Sequence, residues 1–151
     1  MAKSLNRVTL IGNLGKDPEL RSTPQGRSVT TLTLATTERY KDRNGNWQDI
    51  TDWHRVVLWD RLAEVACEHL RKGSKVYIEG KLKTRNYEDK QGILRYVTEV
   101  LASNMVMMTV RREDNKDENN DVNPPLDDDT PVDEDSYQSE DEDNKSGDFI
   151  F

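Results

Sequence analysis

The chain has 151 residues, enough for one ordinary domain and a tail, and its formal net charge is −7. Residues 1–112 carry 20 basic and 13 acidic residues, a balance of +7, whereas residues 113–151 carry 2 basic and 16 acidic residues, a balance of −14. This asymmetry predicts a body that binds a polyanion and a tail with interactions of its own. No apolar run approaches the ~20 residues that cross a bilayer. The single Cys67 excludes an internal disulfide and suits a reducing, intracellular setting.

The first half of the chain has the pattern of three strands. Residues 5–11 form a short apolar run, and residues 28–37 alternate threonine with aliphatic side chains, which is typical of a strand. Asn44 and Gly45 predict a tight hairpin turn in which both residues have positive φ. The return strand is expected over residues 48–59.

One helix and two further strands follow. Asp60 is the expected N-cap of the helix, and Gly73 is expected at its C-terminal cap. Strands are predicted over residues 75–87 and 93–110, with a turn at 89–92 between them. In the first of these strands, we expect one face to hold Val76, Ile78 and Leu82.

The resulting order, β-β-β-α-β-β, predicts an all-β domain with one helix. Five strands with a helix between the third and fourth form the layout of the OB-fold, a partly open Greek-key barrel that binds oligonucleotides and oligosaccharides. The alternative is a plain α+β domain with an antiparallel sheet.

Two predicted strands combine aromatic and cationic side chains. Alternation places Trp53, Arg55, Val57 and Trp59 on one face of the third predicted strand. The next strand has one face with the residues Lys81, Lys83, Arg85 and Tyr87. Rings that stack bases, interleaved with cations that contact phosphates, are typical of a single-stranded nucleic-acid surface. For either Trp alone, packing in the core is the alternative.

The body resembles the bacterial single-stranded DNA-binding protein family along residues 5–110. The resemblance rests on the order and spacing of short motifs within residues 6–19, 34–36, 53–58, 62–66, 70–74 and 76–80. It implies that DNA bases stack on Tyr40, Trp53, Trp59 and Tyr87. The best-known members have Trp at the positions of Tyr40 and Tyr87, and Phe at that of Trp59. Trp47 has no assigned counterpart and is either an extra stacking ring or an anchor of its loop.

The resemblance also implies a homotetramer. His54 and Tyr77 match positions that family members use at subunit contacts. The alternative for His54 is a histidine satisfied within the core. Cys67 and His69 do not form a metal site, because side chains two apart on a helix point in different directions, and only His54 remains as a further ligand of this kind.

The tail has a different composition from the body. Residues 113–147 are mainly acidic, Asn and Ser residues with three prolines, which predicts disorder. The chain ends in Asp148, Phe149, Ile150 and Phe151. The resemblance implies that this tip recruits DNA replication and repair enzymes, although Ile150 stands where the usual tip has proline. The alternative is an idle end.

Together these observations predict an OB-fold single-stranded DNA-binding domain over residues 1–112 and a disordered acidic tail over residues 113–151, with a partner-docking tip at 148–151. The expected function is to coat and protect single strands during replication, recombination and repair, in the cytoplasm and associated with the nucleoid. No catalytic residue, metal or cofactor is expected. The alternatives are an OB-fold that prefers RNA and a small hydrolase or nuclease.

Overall fold

The structure, a computed structural model, describes residues 3–108. Five long strands and one helix make up the described fold, together with one two-residue strand. The elements are β1 (Val8–Leu14), β2 (Arg21–Ser22), β3 (Ser28–Lys41), β4 (Trp47–Trp59), α1 (Asp60–His69), β5 (Lys75–Glu88) and β6 (Leu94–Met107).

The long strands close into a barrel in the order β1-β5-β6-β4-β3, and β3 pairs back with β1. Neighbouring strands are antiparallel, except that β4 and β6 run parallel where Val56 pairs with Val100. A closed five-stranded barrel with a helix between its third and fourth long strands is the OB-fold. The predicted fold is therefore confirmed, and the plain α+β sheet is not the arrangement adopted.

The barrel core is formed by the inward faces of the strands and one face of α1. Ala63 and Ala66 of the helix have no exposed surface and lie against the same apolar cluster as the strands. The cluster consists of Leu14, Leu32, Leu34, Val56, Leu58, Ala63, Ala66, Leu70, Val76, Ile78 and Val100. Each buried Val, Leu or Ile stabilises the fold by about 1.5–3 kcal/mol before the cost of ordering it.

Barrel closure requires a glycine on β1. A Cβ atom on Gly12 would lie 2.2 Å from the carbonyl oxygen of Ala35, which belongs to β3. The two strands approach each other here because Asn13 pairs with Ala35 in the ladder that closes the barrel. Only a residue without a side chain fits this close backbone approach.

Both helix ends differ from the prediction. The N-cap is Trp59, which is extended and makes no side-chain cap, while Asp60 is the first helical residue and has a positive φ of 51°. The Asp60 carboxylate bonds to Arg27 instead of to the helix amides. The C-cap is Leu70, and Gly73 lies in the following turn with φ 87°. The predicted caps were therefore wrong because a tertiary partner and a separate turn use these residues.

The loop between β3 and β4 also differs in detail from the predicted turn. Gly45 has φ 81°, whereas Asn44 is not among the positive-φ residues of the described chain. The Asp42 carboxylate accepts hydrogen bonds from the amides of Asn44 and Asn46, both at 2.9 Å, and Gly45 N–H donates to the Asp42 carbonyl. This is the geometry of a three-residue hairpin loop, in which one left-handed residue suffices.

The loop between β5 and β6 repeats this geometry. The Asp89 carboxylate accepts from the amides of Gln91 and Ile93 at 2.9 Å, and Gly92 has φ 77°. The turn predicted at residues 89–92 is thus confirmed. In both loops an aspartate carboxylate accepts hydrogen bonds from amides of the same loop, so each turn is stabilised by residues close to it in sequence.

Candidate nucleic-acid interface

One face of β4 points away from the barrel core. Val56 and Leu58 belong to the core cluster, so alternation directs Trp53, Arg55 and Trp59 to the opposite side of the strand. Val57 lies on that same outer face and yet has no exposed surface. The middle of this face is therefore covered and not open to solvent.

The register of the sheet brings the predicted residues of β5 onto this face. Val57 pairs with Leu101 on β6, and Leu101 pairs with Lys81 on β5. Two residues further along the strands, and therefore on the same face, Glu99 of β6 pairs with Lys83. Strands β4, β6 and β5 thus present one continuous surface, which we call the outer β4–β6–β5 face.

A buried ion triad occupies the middle of this face. Glu99 accepts a bond from Arg55 Nε at 2.8 Å with one carboxylate oxygen and from Arg85 Nε at 2.8 Å with the other. The Glu99 side chain is 0% exposed and the Arg85 side chain 2% exposed, whereas that of Arg55 is 19% exposed. Of the two arginines predicted to contact phosphates, Arg55 thus retains more contact with solvent. The triad carries a net charge of +1.

Glu99 was missed by sequence reasoning. An acidic residue inside the apolar run of β6 was the available signal, because carboxylates are almost never fully buried unless they are paired. Its two partners are 44 and 14 residues away in sequence. Only the pairing of three strands brings them together.

The remaining predicted side chains of β5 are half-buried: Lys81, Lys83 and Tyr87. Leu82, predicted to share the apolar face with Val76 and Ile78, is 49% exposed. Leu82 does share that side of the strand, since it pairs with the core residue Val100, but it is exposed because β5 no longer pairs with β1 beyond Gly80.

The aromatic residues of the β3–β4 ribbon lie on both of its faces. Trp53 is half-buried opposite Ala35. Tyr40, 44% exposed, pairs with Gln48 and therefore lies on the side of the ribbon opposite Trp47. Trp47 is 60% exposed at the start of β4. Of the predicted stacking residues, Tyr40 is thus the one that alternation separates from the tryptophan face.

Trp59 has a partner that the sequence did not reveal. The guanidinium of Arg27 lies 4.6 Å from the centroid of the Trp59 ring. Arg27 also donates to both Asp60 oxygens, at 3.2 and 2.8 Å. These hydrogen bonds lower the pKa of the Asp60 carboxyl, and the ion pair fixes the cation over the indole.

Of the residues predicted for subunit contacts, His54 lies on the side of β4 opposite the tryptophans, whereas Tyr77 shares the side of β5 that carries Lys81 and Lys83. His54 is half-buried, and its Nε2 lies 2.7 Å from the Thr36 hydroxyl. Tyr77 donates a hydrogen bond to the Glu79 carboxylate, which raises the pKa of the phenol. The predicted tip, Asp148 to Phe151, lies outside the described residues, as does the whole segment 113–151.

Within residues 3–108, no group of three His, Cys, Asp or Glu side chains is arranged to hold a metal ion. In the same range, no helix is long and apolar enough to cross a membrane.

An OB-fold barrel whose outer face combines tryptophans, lysines and a cationic triad belongs to the class of oligonucleotide-binding domains. Residues 5–108 match the model of the single-strand binding protein family. The chain is 50% identical over 109 residues to "Single-stranded DNA-binding protein 1" of Chlorobaculum tepidum, covering 72% of this chain and 67% of that one. It is 44% identical over 135 residues to the protein of the same name in Xylella fastidiosa, covering 89% of this chain and 96% of that one.

Solved structures that share the fold include two single-stranded DNA-binding proteins. An SSB of Plasmodium falciparum in complex with ssDNA superposes with a TM-score of 0.66 at 34% identity, covering 72% of this chain and 99% of that one. A deletion variant of the single-stranded DNA binding protein from Thermus aquaticus superposes with a TM-score of 0.64 at 33% identity, covering 74% of this chain and 54% of that one. The chain belongs to the single-strand binding protein family, whose members are non-enzymatic DNA-binding proteins.

Proposed function

We propose that the protein binds single-stranded DNA without sequence preference on the outer β4–β6–β5 face. The observation that carries this proposal is the shared face of Trp53, Arg55 and Trp59, continued across the sheet by Lys81 and Lys83. Rings accept any base because every base has a flat face, and lysine contacts phosphates as a point charge.

Each residue type has a separate role on this surface. Trp53 and Trp59 stack bases, Tyr87 extends the stack along β5, and Tyr40 contributes from the other side of the ribbon. Lys81, Lys83 and the more exposed arginine of the triad follow the phosphates. Arg85 acts from beneath the surface, because its side chain is only 2% exposed and bonded to Glu99.

Replacing one ring with alanine tests the proposal. Trp53→Ala should weaken binding of a labelled oligo-dT by about 1–3 kcal/mol, measured by fluorescence anisotropy. Tyr96→Ala is the matched control, since Tyr96 is 70% exposed and alternates to the opposite face of β6 from Glu99. Equal affinities for Trp53→Ala and the unchanged protein, with a lowered melting temperature, would assign Trp53 to packing instead.

We propose that four copies assemble into a homotetramer, with His54 and Tyr77 at contacts between subunits. A row across β1, β5 and β6 supports an interface: Ile11 pairs with Tyr77, and Tyr77 pairs with Val106. Ile11 and Val106 are 47% and 49% exposed. Light scattering should report four chains, and His54→Tyr should shift the population toward monomer. A chain that is monomeric at tens of micromolar would contradict the assembly.

We further propose that residues 113–151 form a disordered acidic tail beyond a binding domain ending at residue 112, and that the tip recruits replication, recombination and repair proteins. Both phenylalanines of the chain, Phe149 and Phe151, stand in its last three positions behind 16 acidic residues. Terminal carboxylates and apolar side chains are known recognition elements. This role places the protein on DNA in the cytoplasm, at the nucleoid.

Deleting residues 148–151 tests the tip separately from DNA binding. The deletion removes one acidic side chain of the tail's 16, so oligo-dT affinity should be unchanged. Capture of replication and repair proteins on immobilised protein should be lost. Retention of those partners after the deletion would overturn the role of the tip.

A further inference from the structure

We propose that Trp47, with Arg39 and Lys41, forms an additional stacking site for the same DNA strand at the tip of the β3–β4 hairpin. This inference rests on the proposed function and extends the surface beyond Trp53. A base would lie on the indole, and the two cations would hold the adjoining phosphates.

The ring is exposed to solvent and has two cations close to it. Trp47 is 60% exposed although it is a large apolar side chain. The Arg39 guanidinium lies 5.6 Å from its centroid, and Lys41 Nζ lies 5.8 Å from it. Both cations are on β3, where Lys41 pairs directly with Trp47. An exposed indole with cations close to its ring has the two components of a stacking site for nucleic acid.

The ring continues the row of tryptophans already described. Pairing between β3 and β4 runs without interruption from Val29 opposite Trp59 to Lys41 opposite Trp47. Alternation along such a strand places Trp47, Trp53 and Trp59 on one side, six residues apart. At ~3.3 Å per residue, successive rings are separated by about 20 Å along β4. A strand that passes Trp59 and Trp53 is thereby directed toward Trp47.

The hairpin does not need Trp47 to hold its loop. The Asp42 carboxylate accepts hydrogen bonds from two backbone amides of the loop and from the side-chain Nε2 of Gln48, the last at 3.3 Å. Gly45 supplies the left-handed residue. Of the two roles that the sequence left open for Trp47, anchoring the loop is therefore already performed by Asp42 and Gly45.

Charge at this end of the hairpin suits a phosphate backbone. Arg39 forms an exposed ion pair with Asp49 at 3.5 Å. The Asp42 carboxylate is engaged within the turn. Residues 39–49 carry three cations, Arg39, Lys41 and Arg43, against two carboxylates, Asp42 and Asp49, so the end of the hairpin has one positive charge in excess, which complements a polyanion.

The first test compares alanine variants on oligo-dT of two lengths. Trp47→Ala should weaken binding of a long oligonucleotide about 5- to 150-fold, the effect of losing one stacked base. A short oligonucleotide that reaches only Trp53 and Trp59 should bind unchanged. Trp47→Phe should restore most of the affinity. Ile50→Ala is the matched control, because Ile50 is 49% exposed and alternates to the other side of β4.

The second test uses Trp47 as its own reporter. The chain has three tryptophans, so Trp53→Phe with Trp59→Phe leaves Trp47 as the single indole. Its fluorescence should be quenched by long oligo-dT. Unchanged fluorescence, with normal affinity for Trp47→Ala, would overturn this inference while Trp53→Ala still tests the proposed function. A Trp47→Ala variant that changes the number of subunits would instead assign the ring to a contact between copies.

Discussion

Glu99 and Arg85 form a fully buried ion pair within the outer face that we propose as the DNA-binding surface. The Glu99 carboxylate oxygen lies 2.8 Å from Arg85 Nε, and the side chains are 0% and 2% exposed. The second oxygen of Glu99 holds Arg55 at the same distance. The Glu99 carboxylate, although it lies in a surface proposed to bind a polyanion, therefore serves to position the guanidinium groups of Arg55 and Arg85.

This relationship predicts the sign of a mutational effect. Glu99→Gln raises the net charge by one, and charge alone would make DNA binding tighter. We expect weaker binding, because Arg55 loses the partner that orients it, and a free energy of unfolding lower by about 3–5 kcal/mol, since a buried cation loses its counter-charge. Oligo-dT titration and thermal melting measure the two effects.

A matched variant separates charge from position. Glu68→Gln removes the same charge from an exposed site on α1 and should bind DNA equally well or slightly tighter. Arg85→Leu combined with Glu99→Leu should recover most of the stability lost in Glu99→Leu, because it removes both buried charges. Tighter DNA binding by Glu99→Gln would show that its carboxylate only repels the strand.

The cost of the positive φ at Asp60 can be measured separately from the loss of its ion pair. Asp60→Ala and Asp60→Gly both remove the bond to Arg27, but only glycine adopts the φ of 51° without steric cost. We expect the Gly variant to be more stable than the Ala variant by about 1 kcal/mol. Chemical denaturation measures the difference, and equal stabilities would mean that the positive φ is not retained.

The two aspartate loops predict a dependence on pH. Backbone hydrogen bonds, chiefly from the amides of Asn46 and Ile93, lower the pKa of Asp42 and Asp89 respectively. A carboxyl whose pKa is lower in the folded state stabilises the fold above its unfolded value of about 4 and loses this effect as pH falls through the folded value. The melting temperature should therefore fall as the solution is acidified below pH about 4.

Asparagine at both positions provides the control for this prediction. Asp42→Asn with Asp89→Asn keeps a side-chain oxygen for the loop amides but cannot titrate. The double variant should melt at a lower temperature near neutral pH and show a flatter profile in acid. A profile identical to that of the unchanged protein would place the acid sensitivity elsewhere.

Gly12 gives a test of barrel closure. Gly12→Ala places a methyl group 2.2 Å from the Ala35 carbonyl oxygen, so β1 and β3 must separate. We expect a loss of about 1–3 kcal/mol in the free energy of unfolding, typical of overpacking. Thr9→Ala, at an exposed position of the same strand, should have little effect. A Gly12→Ala protein of full stability would contradict the close approach of these strands.

Local patterns in the sequence determined most of the elements and the fold class. Strand alternation, one amphipathic helix and glycines in turns depend on neighbouring residues, so the strands near residues 28–37, 48–59 and 75–87 and the turn at 89–92 were predictable. The sharing of one side by Trp53, Arg55 and Trp59 follows from the two-residue period of a strand alone.

Long-range pairing decided the details of the site. The burial of Arg85 against Glu99, the approach of Arg27 to Trp59 and the exposure of Leu82 each depend on which strands meet and where the barrel ends. Asp60 shows the same competition, since its local preference for a helix cap gives way to Arg27, 33 residues away. A sequence specifies side-chain direction through local geometry, but the partners of a buried charge are fixed only when the barrel closes.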